Sequence, residues 1–87
     1  MWSRVMPTYR FEFHEALRTS AVRGIKLDDD ETATAEAVQT AGEMLLDGVV
    51  DDFDRVDWAI KIFNQSDEAH AVAVIRFSDV PASKYRS

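Results

Sequence analysis

Between Thr8 and His14 apolar and polar residues alternate, Tyr9, Phe11 and Phe13 being separated by Arg10 and Glu12. Strand side chains point to opposite faces in turn, so the aromatics share one face and Arg10 and Glu12 take the other. The alternation predicts a first strand over Thr8–His14 whose aromatic face requires an apolar cover. From Glu15 to Gly24 the periodicity is weak. That stretch reads as a loop leading into a second strand around Val22–Leu27, with Gly24 suited to a bulge or turn at positive φ.

The central pattern has a different period. At 100° per residue Ala33, Ala37, Val38, Ala41, Met44, Leu45, Gly48 and Val49 fall in one apolar arc, opposite Glu36, Gln39, Thr40, Glu43 and Asp47. Asp28, Asp29, Asp30 and Glu31 precede it and offer both N-caps and negative charge for the positive end of the helix dipole. The prediction is an amphipathic helix of about 18 residues, frayed at Gly48 and ending near Asp51. Ala37, Ala41 and Gly48 make the middle of its arc small. A small-residue stripe lets the helix approach a bulky sheet, so Tyr9, Phe11 and Phe13 are expected to project beneath it.

Asp51–Asp57 reads as an acidic connector with Phe53 at the edge of the core. Alternation resumes over Trp58–Ile62 and again over Ala71–Phe77, and Asn64–Ala69 between them has turn chemistry, which together predict a β-hairpin. The tail beyond Asp79, with Pro81, is expected to be irregular. The resulting class is α+β in ββαββ order, one amphipathic helix on one face of a four-stranded, mostly antiparallel sheet. Phe63, Val72 and Val74 are expected on the other face, as a second apolar patch that a twofold partner would cover.

Composition narrows the function classes. With 87 residues, 46% of them hydrophobic and 30% charged, the chain has the make-up of one small folded domain. The absence of cysteine excludes thiolate catalysis, disulfides and Cys-based zinc sites. Ten Lys and Arg against sixteen Asp and Glu give a net charge of −6, which opposes non-specific binding to nucleic acid or anionic lipid. No apolar run approaches the ~20 residues of a membrane helix, and Met1–Val5 lacks the apolar region of a secretory leader, so a cytoplasmic location without membrane partners is expected.

Taken together, Met6-Pro7-x-Tyr9-x-Phe11, Gly24-x-x-Leu27-x-Asp29, Ala33-x-x-Glu36-Ala37, Glu43 and Trp58-x-Ile60-x-Ile62 resemble a family of short bacterial proteins catalogued as domain of unknown function 6894. The likeness runs from Met6 to Phe77. It departs from the family pattern at His14-Glu15-Ala16, where relatives tend to carry an Asp-Gly turn, and at Ser66-Asp67-Glu68-Ala69, where they often have Asp-x-x-Gly. The family has no assigned activity, so the resemblance transfers no catalytic residues. It implies that Met6 corresponds to the usual start, with an N-terminal extension over 1–5; with the irregular C-terminal tail over 80–87, the expected domain spans 6–79.

Candidate chemistry is sparse. Asp28–Glu31 lacks the alternating ligands, glycine and distal Glu of a calcium loop, so capping is the favoured role. Asp51, Asp52, Asp54 and Asp57 lie in an exposed connector, where nothing would drive apart the carboxylate pKa values of an acid–base pair. His14 and His70, each near a strand end, would form a pH-sensitive or metal-binding pair only if those strands met; unrelated surface positions are favoured. Thr19, Ser20, Thr34 and Ser66 have no nucleophile-elbow context, and Gly24, Gly42 and Gly48 do not cluster into a phosphate loop. Trp2 and Trp58 are able to stack on a base, but Trp58 begins an alternating run and is better read as core or interface. No catalytic, cofactor-binding or metal residue is assigned, and no cofactor is expected. The expected function is a non-catalytic protein-interaction module, homodimeric or bound to another protein. The alternatives are a nucleic-acid-linked regulator of antitoxin type, and a ligand binder or enzyme using a dimer cleft.

Overall fold

The computed structural model describes residues 6–50 and 55–80. The alternating aromatic run forms β1 (Thr8–His14), followed by β2 (Thr19–Lys26), α1 (Asp30–Leu46), β3 (Ala59–Asn64) and β4 (Asp67–Arg76). Single 3-10 turns lie at Arg55–Asp57 and Phe77–Asp79. All neighbouring strands are antiparallel, in the order β2-β1-β3-β4. Two hairpins are thus joined by the helix, whose crossing lays β3 beside β1. The α+β class, the ββαββ order and the single helix are as the sequence predicts.

Boundaries differ where local pattern was weak. The second strand starts at Thr19 rather than Val22, since pairing with β1 (His14↔Thr19, Phe13↔Ser20, Glu12↔Ala21) recruits three residues with no hydrophobic alternation. Between Tyr9↔Ile25 and Phe11↔Val22, β2 advances one residue more than β1. Gly24, at φ 75°, lies in this bulge, where its backbone occupies the left-handed region. Likewise β4 begins at Asp67, inside the stretch expected to be a turn, which contracts to Gln65 and Ser66.

Asp29 caps α1: its carboxylate accepts from the Thr32 N–H at 2.8 Å, and its backbone carbonyl accepts from Ala33 N–H. At the other end Gly48 N–H donates to Leu45 O and Val49 N–H to Met44 O, with Gly48 at φ 77°. This double closure is a Schellman motif, and it stops the helix at Leu46 with Asp47 as C-cap. Gly48 and Val49 are therefore outside the helix rather than in its apolar arc, and the expected end near Asp51 is too late. Asp51, Asp52, Phe53 and Asp54 lie outside the described residues.

The core joins the large side chains of the sheet to the small ones of the helix. Tyr9, Ile60, Ile62, Phe77, Ala33, Ala37 and Ala41 are fully buried in one cluster, with Phe11, Val50 and Val80 nearly so and Phe13, Met44, Leu45 and Trp58 packed around it. Gly42 is also buried. The Trp58 ring meets Phe77 edge-on at 5.8 Å.

The uncovered face is not the apolar patch expected. Ile62 pairs with Ala73 but Phe63 with Ala71, so Val72 is an extra residue in β4 and joins Ala73 and Ile75 against the core. Phe63 lies beneath the Arg10 guanidinium, leaving Val74, paired with Lys61 across the sheet, half exposed.

Candidate functional site

Alternation places Arg10, Glu12 and His14 of β1 in a row on the uncovered face, and the neighbouring strands complete it. Glu12 holds the row together: one carboxylate oxygen is 2.9 Å from Arg10 Nη2 and the other 2.9 Å from His14 Nε2. Arg10 Nη1 reaches across the sheet to Glu68, while the guanidinium carbon stands 4.5 Å above the centre of the Phe63 ring. Buried Arg10 Nε has no hydrogen-bond partner among the described residues. Across the β1–β2 hairpin, Thr19 Oγ1 lies 3.4 Å from His14 Nδ1.

Carboxylate, imidazole and hydroxyl in sequence resemble the order of a nucleophile relay. The geometry does not make one. At 3.4 Å the hydroxyl is beyond the ~2.6–3.2 Å at which a base activates a nucleophile. Thr19 is an exposed strand residue. The row instead neutralises its own charges and gives the uncovered face a polar surface. Its alignment was legible in the sequence; its partners Glu68 and Thr19 were not, because they depend on strand register.

The other candidates disperse. His14 pairs with Ala59 at the start of β3, whereas His70 lies in β4 beyond the Phe63 pairing, at the opposite end of the sheet. The two imidazoles do not meet, and His70 faces Asp67 at 3.7 Å. Asp29 is a cap, and Asp30 accepts a 2.6 Å hydrogen bond from the Tyr9 hydroxyl. Burial, then that bond and the charges of Asp30 and Asp29, push the Tyr9 phenol up to about 12. Among the described residues no group of three or more His, Asp or Glu is placed to hold a metal ion. Thr34 bonds back to Asp30 O, Ser66 closes the β3–β4 turn on Asn64, Ser20 is exposed on β2 and Trp58 is half-buried. Asp57 lies in an exposed 3-10 turn, and Trp2 is outside the described residues.

What remains open is an edge. α1 contacts β3 and β4, so β2 lies on the far side of the sheet from the strands that carry the helix. Every residue of β2 is exposed except Ile25, and Leu17 in the turn before it is 98% exposed. A shallow hollow of about 330 Å³, lined by Glu15, Ala16, Leu17, Arg18 and Trp58, adjoins that turn. β4 is an edge too, but its Val72, Ala73 and Ile75 pack on the core below the helix. Which strand forms the edge is not legible in the sequence, because edge position is a property of strand order alone.

A family model described as domain of unknown function 6894 matches residues 8–78. No curated protein and no solved structure matches the chain.

Proposed function

The chain belongs to the domain of unknown function 6894 family, and from that premise we propose that it is a small non-catalytic protein-interaction module working through the outer edge of its sheet. The observation that carries this reading is β2: an eight-residue edge strand, exposed along nearly its whole length. The outer side of an edge strand presents a row of backbone N–H and C=O groups to which an extended segment adds as a further strand. The Gly24 bulge interrupts that row near Ile25 and leaves Thr19–Val22 in regular register with β1.

A twofold partner was expected to cover an apolar patch on the uncovered face. The Arg10–Glu12–His14 row removes the motive for burying that face, because each charge there would have to be desolvated. The edge carries no such cost. Placing a photo-crosslinking amino acid at Ala21 tests the assignment, with exposed Glu43 on the helix as the reference position. Expressed at native level, the Ala21 form should give discrete protein adducts that the Glu43 form does not. Identical adducts from both, or none from Ala21, would overturn the assignment of the edge.

A further inference from the structure

Resting on β2 as the working edge, we infer that its ligand is an extended acidic segment of another protein, laid antiparallel or parallel to β2 as a fifth strand. Charge carries the inference. The chain holds sixteen Asp and Glu and a net charge of −6, yet from Ala16 to Leu27 there is no acidic residue. The same stretch contains Arg18, Arg23 and Lys26, all exposed. Arg18 is shared with Glu15 at 3.2 Å, whereas Arg23 and Lys26 belong to β2 itself.

The opposite edge is of mixed charge: β4 opens with Asp67 and Glu68, the latter paired with Arg10, and closes with Arg76. An acidic strand therefore meets only positive charge along β2 and mixed charge along β4, which gives one chain two edges of different selectivity. A second copy of this chain fits β2 less well. Twofold antiparallel self-pairing over Thr19–Val22 would set Arg23 opposite Arg18 of the other copy, and like charges directly opposite are destabilising. Nucleic acid is disfavoured by the net charge, and an edge strand's N–H and C=O groups are matched by peptide backbone rather than by phosphate, which offers acceptors alone. The segment that fits carries Asp or Glu toward Arg23 and Lys26, with an apolar residue set beside Val22, which is 51% exposed.

The test uses the full chain and a fluorescein-labelled peptide of about eight residues alternating Glu with Val or Thr, matching the length of β2 at ~3.3 Å per residue. The Gln-for-Glu and Lys-for-Glu peptides and a short duplex DNA are the competitors. Anisotropy should show saturable binding of the Glu peptide, at least about fivefold tighter than the Gln peptide and weakened by salt. The doubly substituted Arg23→Gln, Lys26→Gln chain should lose roughly fivefold, and amide exchange should slow at Thr19–Val22 and not in β4. Both positions are exposed, and an unchanged thermal melt of the variant shows that any loss is local; Arg23→Gln alone replaces it if the melt shifts.

No saturable binding below about 1 mM, equal affinity for the Glu and Lys peptides, or slowed exchange confined to β4 would overturn the inference. So would tighter binding of the duplex, which would move the chain to the nucleic-acid class, or a β2-paired dimer in sedimentation, which would identify the occupant as a second copy. Photo-crosslinks from Ala21 to proteins without acidic segments would sink the acidic ligand while leaving the edge assignment standing.

Discussion

Replacing Tyr9 with Phe removes one hydroxyl from a fully buried side chain and tests how the sheet is tied to the start of the helix. The hydroxyl donates to Asp30 at 2.6 Å, so the substitution deletes a hydrogen bond to a carboxylate while preserving the ring and its packing. A bond of that kind contributes about 1.5–3 kcal/mol, and Asp30 is exposed enough for water to replace its lost donor. At pH 8 the variant should therefore be less stable by an amount near the lower end of that range, read from urea unfolding. The pH dependence is the sharper test. With the phenol held to about 12 in the folded chain against 10 when unfolded, the folded state keeps a proton that the unfolded state releases across that window. Stability from this group is complete below pH 10 and is lost as pH rises toward 12. By about pH 11.5 the loss should reach roughly 2 kcal/mol in the natural chain and be absent from the Phe variant. Every other group is common to both chains and cancels in the difference. A stability gap that stays constant from pH 8 to pH 11.5 would refute the buried phenol–carboxylate contact.

Three further substitutions probe the helix and its seat. Asp29→Ala should cost about 0.5–2 kcal/mol in chemical denaturation by removing the cap on Thr32 N–H, with Asp29→Ser or Asp29→Asn recovering most of it. Gly48→Ala meets no atom within 4 Å, so its cost is confined to the left-handed backbone of the Schellman turn, about 1–2 kcal/mol by thermal melt. Ala41→Leu places a larger side chain at a fully buried helix position and should cost on the order of 1–3 kcal/mol; an unchanged denaturation midpoint would mean that the small stripe of α1 is not pressed onto the sheet.

The legible parts of the fold are those where one period runs unbroken. β1 was readable end to end, because its aromatic alternation satisfies both strand propensity and burial. The start of the helix was readable from the Asp run, although only the structure distinguishes Asp29 as cap from Asp30 as partner of Tyr9. Its end was not, since helical phase alone admits Gly48 to the apolar arc while the backbone uses that same glycine to terminate. β2 was half readable: Thr19, Ser20 and Ala21 become strand through pairing with His14, Phe13 and Glu12, not through any preference of their own.

The largest departure, the polar character of the uncovered face, has a similar physical origin and bears directly on function. A strict period of two over Ala71–Phe77 sets Val72 and Val74 on one face, and no glycine or proline in β4 announces that the register slips. The slip turns Val72 toward the core, and Arg10 lies over the remaining aromatic, Phe63. A sheet whose free face is apolar is completed by covering the face. A sheet whose free face is closed by Arg10, Glu12 and His14 has its unmet demand elsewhere, in the outward backbone groups of its edge strands. One of those edges, β4, carries core residues beneath the helix and opens with acidic side chains; the other, β2, is exposed and basic. The proposed recognition therefore follows strand order and local charge, two properties that only the arrangement of the four strands brings together.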